Sequence, residues 1–379
     1  MRIAIDARYI REKPSGIGTY VQALVDRLPR LAPSDEFLFW AHPLAARPLS
    51  AAGNTREVTV RSVPNSPWPV LWPSLYSSFD VDVFHSPHNL MSRRLPCPSV
   101  VTVHDVMAID RPSLHLRGLE RLALSLYYPQ AVWRALREAG RLIVPTKATA
   151  DRVLALVPNA GARLRVIWEA PDACFRPAAD PEHVRQRVMA LTGVADPYLI
   201  VVGADQPAKR HDLALAAFAA AAPKPWRLVM VQRPASHDHL QRLARLQHRA
   251  RELRVDDRVV WLAHVERDDL AVLIQGASGL LQPSIYEGFG LPIIEAMACG
   301  CPVVATDIPP FREVAGDAAV LVSPDAGDYT AAVHALIGSA EQRRSLAERG
   351  LARASVFSWD RCARETLDVY RDAALEAFH

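Results

Sequence analysis

Two glutamates flank a glycine-rich turn in the second half of the chain. Glu287 and Glu295 enclose the run Gly-Phe-Gly-Leu-Pro-Ile-Ile. Gly288 and Gly290 allow the backbone to approach a ligand closely, and Pro292 has the fixed φ that suits the first turn of a helix. The N–H groups at a helix start attract phosphate, and carboxylates accept hydrogen bonds from a sugar diol. This combination of preferences suits a sugar nucleotide.

A second pair of polar residues follows a buried strand in the first half. The predicted strand Val100–His104 is mostly valine until it ends in His104, and Asp105 comes next. Ligands of open α/β folds bind at the carboxyl ends of the strands. We therefore interpret His104 as a functional residue, and Asp105 as a group that orients the imidazole or contacts an acceptor. The structural alternative is a histidine satisfied by a local hydrogen bond.

A metal site is not predicted. Asp80 and Asp82 fit an Asp-x-Asp pattern that can hold a divalent ion, but they precede a predicted strand instead of following one, which favours a turn. The histidines and cysteines show no zinc spacing. The five cysteines form no Cys-x-x-Cys pair, so we expect reduced thiols.

The elements that position these residues alternate between short apolar strands and longer helical patterns, which predicts an α/β fold with parallel sheets. The predicted strands are Arg2–Ala7, Phe37–Ala41, Val58–Ser62, Val83–His85, Val100–His104, Leu142–Val144, Leu164–Trp168, Tyr198–Val202, Leu228–Val231, Val259–Leu262, Leu280–Gln282, Val303–Ala305 and Val320–Val322. The predicted helices include Thr19–Leu31, Leu119–Arg137, Ala148–Leu156, Leu213–Ala221, Leu240–Leu253, Asp268–Gln275 and Ile293–Ala298.

Length predicts two domains, because 379 residues exceed what one core usually supports. A proline-rich segment without periodicity, Phe175–Pro181, is the predicted linker. The expected lobes are residues 1–176 and 177–355, with a ligand cleft between the carboxyl ends of their sheets. Residues 356–379 form an amphipathic helix for which Ser358 is the predicted N-cap.

The run from Glu287 to Glu295, with the strand-like Gly279–Gln282 before it and the helix stop Ala298–Pro302 after it, resembles the Glu-x7-Glu signature of retaining glycosyltransferases of family 4. Those enzymes have the GT-B fold of two Rossmann-like lobes. The resemblance covers nearly the whole chain. It implies that the first lobe binds an acceptor, that the second binds the sugar nucleotide, and that the terminal helix crosses back to the first lobe.

For the donor, the resemblance implies that Glu295 accepts hydrogen bonds from the ribose diol and that Glu287 contacts hydroxyls of the transferred sugar. It also implies that the backbone N–H groups of Phe289, Gly290 and Leu291 cover the diphosphate or the sugar. These three residues and Glu295 are the predicted core of the donor site.

A second donor segment, from Gly203 to Phe218, resembles the part of the family that carries a phosphate-binding arginine and lysine. Lys209 matches the lysine, which would stabilise the leaving diphosphate. Ala204 and Ala208 depart from the family where a cation or polar group is usual. Arg210 is the predicted substitute for that charge, and two ordinary solvated loop charges are the alternative.

In the first lobe, the resemblance implies that His104 lies next to the transferred sugar. The glycines of Ser15-Gly16-Ile-Gly18 resemble the family's N-terminal glycine loop, which approaches donor phosphate and acceptor. The catalytic prediction therefore rests on His104, Glu287 and Lys209, with Gly16 and Gly18 in donor binding.

The resemblance implies transfer of a mannosyl or glucosyl-like group from a GDP- or UDP-linked sugar, with retention and without a metal or other cofactor. The acceptor would be a sugar or lipid-linked hydroxyl in cell-surface polysaccharide or glycolipid assembly. Two alternatives stay open. One is a GT-B epimerase or phosphorylase, and the other is a non-catalytic subunit that binds sugar nucleotides, which the alanines at 204 and 208 suggest.

The composition of the chain limits the kinds of partner and the cellular location that we expect. Half of the residues are hydrophobic, and a net charge of +3 is too small to argue for nucleic acid. The absence of an apolar leader or a bilayer-length apolar run predicts a cytoplasmic protein. A peripheral contact with the inner face of the membrane would suit the mixed tryptophans and arginines of the first lobe, although loop packing explains them equally well. These residues are Trp68, Trp72, Arg93, Arg94, Arg111 and Arg117.

Overall fold

The computed structural model describes residues 1–11, 15–45, 47–62, 80–92, 95–115, 121–233 and 239–376. Of the residues behind the membrane prediction, Arg111 alone lies within this set. The chain divides into two compact units, Met1–Glu169 with Ser358–His379, and Ala170–Phe357. Each unit is built around one parallel sheet.

The first unit has a seven-stranded sheet in the order β3-β2-β1-β4-β5-β6-β7. The order reverses between β1 and β4, which is where open α/β sheets bind ligands. Its strands are β1 (Arg2–Ile5), β2 (Glu36–Ala41), β3 (Thr55–Thr59), β4 (Val83–Ser86), β5 (Ser99–Thr102), β6 (Arg141–Val144) and β7 (Leu164–Val166). Its helices are α1 (Gly16–Leu31), α2 (Met107–Asp110), α3 (Pro112–His115), α4 (Arg121–Glu138) and α5 (Lys147–Leu156).

The second unit has a six-stranded sheet in the order β10-β9-β8-β11-β12-β13. Its strands are β8 (Tyr198–Ala204), β9 (Arg227–Arg233), β10 (Val259–Leu262), β11 (Gly279–Gln282), β12 (Val303–Thr306) and β13 (Val320–Val322). Its helices are α6 (Pro181–Thr192), α7 (His211–Ala221), α8 (His239–Glu252), α9 (Arg267–Gly276), α10 (Leu291–Ala298), α11 (Pro309–Ala315), α12 (Ala326–Gly338) and α13 (Ala340–Ala354).

The central strands are buried on both faces, as expected for parallel sheets covered by helices. Ile3, Ala4 and Ile5 in β1 have no exposed surface, and neither have Leu280 and Leu281 in β11. Such strands read as continuous apolar runs in the sequence. This explains why the central strands of both sheets could be predicted from the sequence.

The last helix, α14 (Trp359–Glu376), packs against α1 in the first unit. The amide of Arg361 donates to the Ser358 hydroxyl at 3.4 Å, so Ser358 lies at the N-terminus of this helix. Further along, the Tyr370 hydroxyl lies 2.6 Å from Nδ1 of His85 in β4. The chain's final segment is therefore part of the buried framework of the first unit.

Some element boundaries differ from the prediction. Strand β3 begins at Thr55 instead of Val58, because its register is set by pairing with β2, in which Phe37 lies opposite Thr55. Pro181, predicted as the end of a linker, is the first residue of α6. The carboxylate of Asp180 accepts from the amides of Glu182 and His183 and so caps that helix. The structure adds helices α2, α3, α11, α12 and α13 to those named from the sequence. Among the described residues, no helix combines the length and apolar content needed to cross a bilayer.

Candidate functional site

In the second unit, the loops after β8 and β11 bring two predicted catalytic residues together. Nζ of Lys209 lies 2.5 Å from Oε1 of Glu287, although 78 positions separate them in the chain. Nε2 of Gln282 lies 3.3 Å from the same oxygen. The two loops are joined by a hydrogen bond from the Ile285 amide to the Ala208 carbonyl, at 2.8 Å. Both partners of the ion pair keep some exposure, 17% for Lys209 and 11% for Glu287.

Arg210, the predicted substitute for the missing family cation, makes a different contact. Its backbone has a positive φ of 45°, immediately before α7. Its Nε donates to the carboxylate of Asp212 at 3.1 Å. The ion pair of Arg210 is therefore with a neighbour two residues ahead, and its role toward a donor stays a prediction.

The glycine turn after Glu287 leads into α10. Gly290 has a φ of 101° and directly precedes the helix, which begins at Leu291. Phe289 is buried, with its ring edge-on to Phe357 at 5.8 Å between centroids. A Cβ on Gly290 would lie 2.6 Å from Cε1 of Phe311. Both the positive φ and the close aromatic ring require glycine at this position.

Glu295 lies one turn into α10 and is buried against an arginine that sequence analysis did not single out. Oε1 of Glu295 accepts from Nη2 of Arg267 at 3.0 Å. Nε of Arg267 lies 2.6 Å from the carboxylate of Asp172, and its guanidinium lies 5.1 Å from the centre of the Phe175 ring. Burial lowers the pKa of Arg267, but the charges of Glu295 and Asp172 outweigh it, so the pKa is raised. Arg267 therefore holds the predicted ribose carboxylate in place.

A buried histidine supports the loop that carries Lys209. Nδ1 of His211 lies 2.7 Å from Nε2 of Gln232, at the end of β9. Burial, together with the charge of Lys209, lowers the pKa of His211 to about 4. A Cβ on Gly203 would lie 3.3 Å from the ring, so glycine there gives the ring its space. His211 is thus a neutral packing group beside the cation.

In the first unit, His104 lies just beyond β5 with its ring held at both nitrogens. Nδ1 lies 2.9 Å from Oε1 of Glu169, and Nε2 lies 3.0 Å from the carbonyl oxygen of Pro87. Its amide donates to Oδ1 of Asn89 at 2.9 Å. Burial lowers the pKa of His104, but the hydrogen bond and charge of Glu169 outweigh it, so the pKa is raised. Glu169 follows β7 without a motif of its own, so no pattern in the sequence singles it out.

Asp105 does not hold the imidazole. Its Oδ1 accepts from the amide of Met107 at 2.9 Å, at the start of α2, and its carbonyl accepts from Nδ2 of Asn89. The carboxylate that contacts the ring is that of Glu169. Of the two predicted roles of Asp105, acceptor contact is the one that stays a prediction.

The His104 ring rests on a buried aromatic framework. The Tyr20 ring from α1 meets it edge-on, with centroids 5.1 Å apart. The Tyr20 hydroxyl lies 3.0 Å from Oγ1 of Thr102, which lies 2.8 Å from Nε2 of His85. Burial, with a smaller effect of His104, lowers the pKa of His85 to about 3, so that ring is neutral. This framework fixes the position of His104.

The predicted glycine loop is the first turn of α1. The Ser15 hydroxyl accepts from the amide of Gly18 at 3.0 Å and caps the helix, which begins at Gly16. A Cβ on Gly18 would lie 2.8 Å from the carbonyl oxygen of Tyr9. Close packing against the turn that follows β1 therefore explains Gly18, whereas Gly16 is exposed at the helix start.

The Asp-x-Asp pair lies at the amino end of β4. The carboxylate of Asp80 accepts from Nη1 of Arg2 at 2.9 Å, and Oδ2 of Asp82 accepts from the Arg2 amide at 2.7 Å. These contacts join β4 to the start of β1. Across the described residues, no cluster of three histidines, cysteines or acids has the arrangement of a metal site.

Two family models match this chain in succession. The model described as Glycosyltransferase Family 4 matches residues 14–172, and the model described as Glycosyl transferases group 1 matches residues 190–353. The chain belongs to the group 1, family 4-like glycosyltransferases. Its two Rossmann-like units with parallel sheets are those of the GT-B fold. The family and the fold class predicted from the sequence are thus confirmed.

Curated relatives are similar over parts of the chain or over most of it. The O-antigen chain mannosyltransferase B of Escherichia coli is 41% identical over 29% of this chain, and the match spans 29% of that protein. The D-inositol 3-phosphate glycosyltransferase of Salinispora tropica is 33% identical over 63% of this chain and 52% of its own length. The enzyme of that name from Gordonia bronchialis is 28% identical over 96% of this chain and 85% of its own.

Solved structures share the fold at low identity. Sucrose-phosphate synthase from Thermosynechococcus elongatus superposes with a TM-score of 0.79 at 21% identity, over the whole of both chains. HepE from Anabaena, solved with UDP and glucose, gives a TM-score of 0.74 at 17% identity and covers 98% of this chain and all of its own.

Proposed function

We propose that the protein transfers a hexosyl group, mannosyl or glucosyl-like, from a GDP- or UDP-linked sugar to an acceptor hydroxyl. The observation that carries this proposal is the Lys209–Glu287 ion pair at the ends of β8 and β11, next to the start of α10. These groups lie at one edge of a sheet. The cation and the helix N-terminus can bind a diphosphate, and the carboxylate can accept hydrogen bonds from sugar hydroxyls. Family membership and HepE's complex with UDP and glucose support this assignment.

In this proposal, Lys209 stabilises the charge that develops on the departing diphosphate. A preorganised donor of this kind contributes about 3–4 kcal/mol to the transition state, by analogy with oxyanion-hole deletions. Glu287 contacts hydroxyls of the transferred sugar, and Lys209 holds its carboxylate in position. Glu295, held by Arg267, accepts hydrogen bonds from the ribose diol. None of these roles requires a metal.

His104 would act through charge and position. Both of its nitrogens contact oxygens that accept hydrogen bonds, so the ring offers no lone pair for attack or for proton abstraction. Retention would then follow from attack on the same face as the leaving phosphate, as the family resemblance implies. In this proposal, Asp105 and the residues around it contact the acceptor.

The proposed setting is cell-surface polysaccharide or glycolipid assembly in the cytoplasm, with peripheral contact with the membrane. The curated relative named O-antigen chain mannosyltransferase B supports this setting. The observation that favours a non-catalytic sugar-nucleotide-binding subunit is the pairing of Arg210, the predicted substitute for the missing family cation, with Asp212.

The test combines donor binding with turnover. A thermal-shift panel of GDP- and UDP-linked mannose and glucose should identify one donor, since a ligand at 100 times its Kd adds about 2.7 kcal/mol of stability. Release of nucleoside diphosphate from that donor, with and without acceptor, then measures turnover. Glu287→Gln should bind the nucleoside diphosphate but lose turnover by orders of magnitude, whereas Glu348→Gln makes the same chemical change at an exposed site.

Three outcomes distinguish the candidates. Acceptor-dependent release that survives EDTA supports a metal-independent transferase, and donor binding with neither release nor conversion of the sugar supports the non-catalytic subunit. Conversion of the donor sugar without release indicates an epimerase. Loss of turnover in EDTA that manganese restores would contradict the metal-independent assignment.

A further inference from the structure

The His104 ring faces two hydrogen-bond acceptors, and this fixes its protonation state. The carbonyl oxygen of Pro87, 3.0 Å from Nε2, can only accept. The carboxylate of Glu169, 2.9 Å from Nδ1, accepts when it is ionised. Beside an ionised Glu169, a neutral imidazole would place one nitrogen lone pair against an oxygen lone pair in a largely buried site, which is unfavourable. The arrangement is satisfied when both nitrogens donate.

We propose that Glu169 is a positioning residue for the transfer reaction. Its carboxylate keeps the His104 ring doubly protonated and fixed in orientation. The inference rests on the proposed function, since it assigns Glu169 a part in that reaction. Glu169 is buried and is the final residue of the first unit's continuous segment. It lies 65 positions from His104 and makes its contact across the sheet's carboxyl edge.

The groups around the ring make Glu169 the counter-ion. The Tyr20 ring from α1 faces the His104 ring edge-on. The centroid of the His88 ring, after β4, lies 6.4 Å from that of His104. His85 in β4 carries no competing charge, because burial lowers its pKa to about 3. The charge of Asp105 raises the pKa of His104 by less than that of Glu169 does. The Asp105 carboxylate accepts from the Met107 amide. Among the described residues, the carboxylate in contact with the ring is that of Glu169.

A fixed charge has a consequence for the pH dependence of the reaction. If the imidazolium takes part, kcat falls as the pH rises through the pKa of His104. Removing the Glu169 charge lowers that pKa and moves the alkaline limb to lower pH. A group with a purely structural role would change the amount of folded protein but not the position of this limb.

The test uses the full chain with 15N-labelled histidine, and the variants Glu169→Gln and Glu169→Asp. In the parent, the ring nitrogens of His104, assigned by comparison with His104→Ala, should both be protonated at pH 7. Glu169→Gln should lower the pH at which the His104 ring nitrogens lose a proton. It should reduce kcat about tenfold at pH 8 and less than about twofold at pH 6. Glu169→Asp keeps the charge and should restore the parent's alkaline limb. Glu138→Gln, an exposed change of the same chemistry, should match the parent.

Two results would overturn the proposal. One is a neutral His104 ring in the parent at pH 7, which needs no variant to observe. The other is an unchanged alkaline limb in folded Glu169→Gln. Should the parent release no nucleoside diphosphate from any donor, the proposed function fails and the role of Glu169 in the reaction fails with it. The nitrogen spectra would still show whether Glu169 controls the protonation of the ring.

Discussion

Replacing Gly290 by alanine should destabilise the second unit more than the same change at another glycine with positive φ. Gly290 lies at the start of α10 with a φ of 101° and a ψ of 52°. An added Cβ would lie 2.6 Å from Cε1 and 3.1 Å from Cδ1 of Phe311, a fully buried ring. Two separate penalties therefore act at this position, one from the backbone and one from packing.

The two penalties differ in size and can be separated. An L-residue in the left-handed region costs about 1–2 kcal/mol. Forcing a methyl group against a packed ring costs about 1–3 kcal/mol more, because the core cannot move freely. Gly193, at the end of α6, has a φ of 69°, and a Cβ added there would have no neighbouring atom within 4 Å. We expect a loss of about 2–5 kcal/mol for Gly290→Ala and about 1–2 kcal/mol for Gly193→Ala.

The assay is native-state hydrogen exchange in increasing urea, read at amides of β11 and β12 so that it reports the unfolding free energy of the second unit alone. Calorimetric titration with the nucleoside diphosphate accompanies it, because the Gly290 amide is predicted to cover the donor. Gly290→Ala should weaken this binding, and Gly193→Ala should leave it unchanged. Equal losses of stability in the two variants would refute the packing argument at Phe311.

Three further substitutions test the rest of the site, and a pH titration tests the buried histidines. Glu295→Gln should weaken nucleoside diphosphate binding about tenfold or more in calorimetry, because charge-assisted hydrogen bonds to the ribose contribute about 1.5–3 kcal/mol; unchanged affinity would contradict the ribose assignment. Lys209→Ala should reduce turnover more than donor affinity, since the charge matters most as the diphosphate departs. If Arg210 replaces the absent family arginine, Arg210→Ala should also reduce turnover, and parental rates would exclude that role. Acid should destabilise both units: burial lowers the pKa of His85 to about 3 and of His211 to about 4, so the unfolded chain binds more protons below pH 6.5. The free energy of unfolding, measured by urea titration, should then fall as the pH is lowered from 6.5 toward 4. A free energy of unfolding that does not change over this range would contradict the burial argument.

Local sequence was sufficient for most elements of the fold. Central strands of parallel sheets are apolar on both faces, so β1 and β11 stand out as short apolar runs. The helix start at α10 was also predictable, because glycine and proline restrict the backbone within a few residues. The boundary of β3 was not, since its register depends on pairing with β2, and α6 was missed where Asp180 and Pro181 were interpreted as linker.

The sequence by itself determined the residue types of the site, namely the two glutamates around the glycine turn, Lys209 and His104. Only the tertiary structure decided their partners. Glu169 and Arg267 belong to no motif, and each meets its partner across tens of residues, 65 for His104 and 28 for Glu295. The physical reason is that a parallel sheet brings the carboxyl ends of strands distant in sequence to one edge. Side chains that stabilise one another's charge there are neighbours through strand order, which local propensity does not encode.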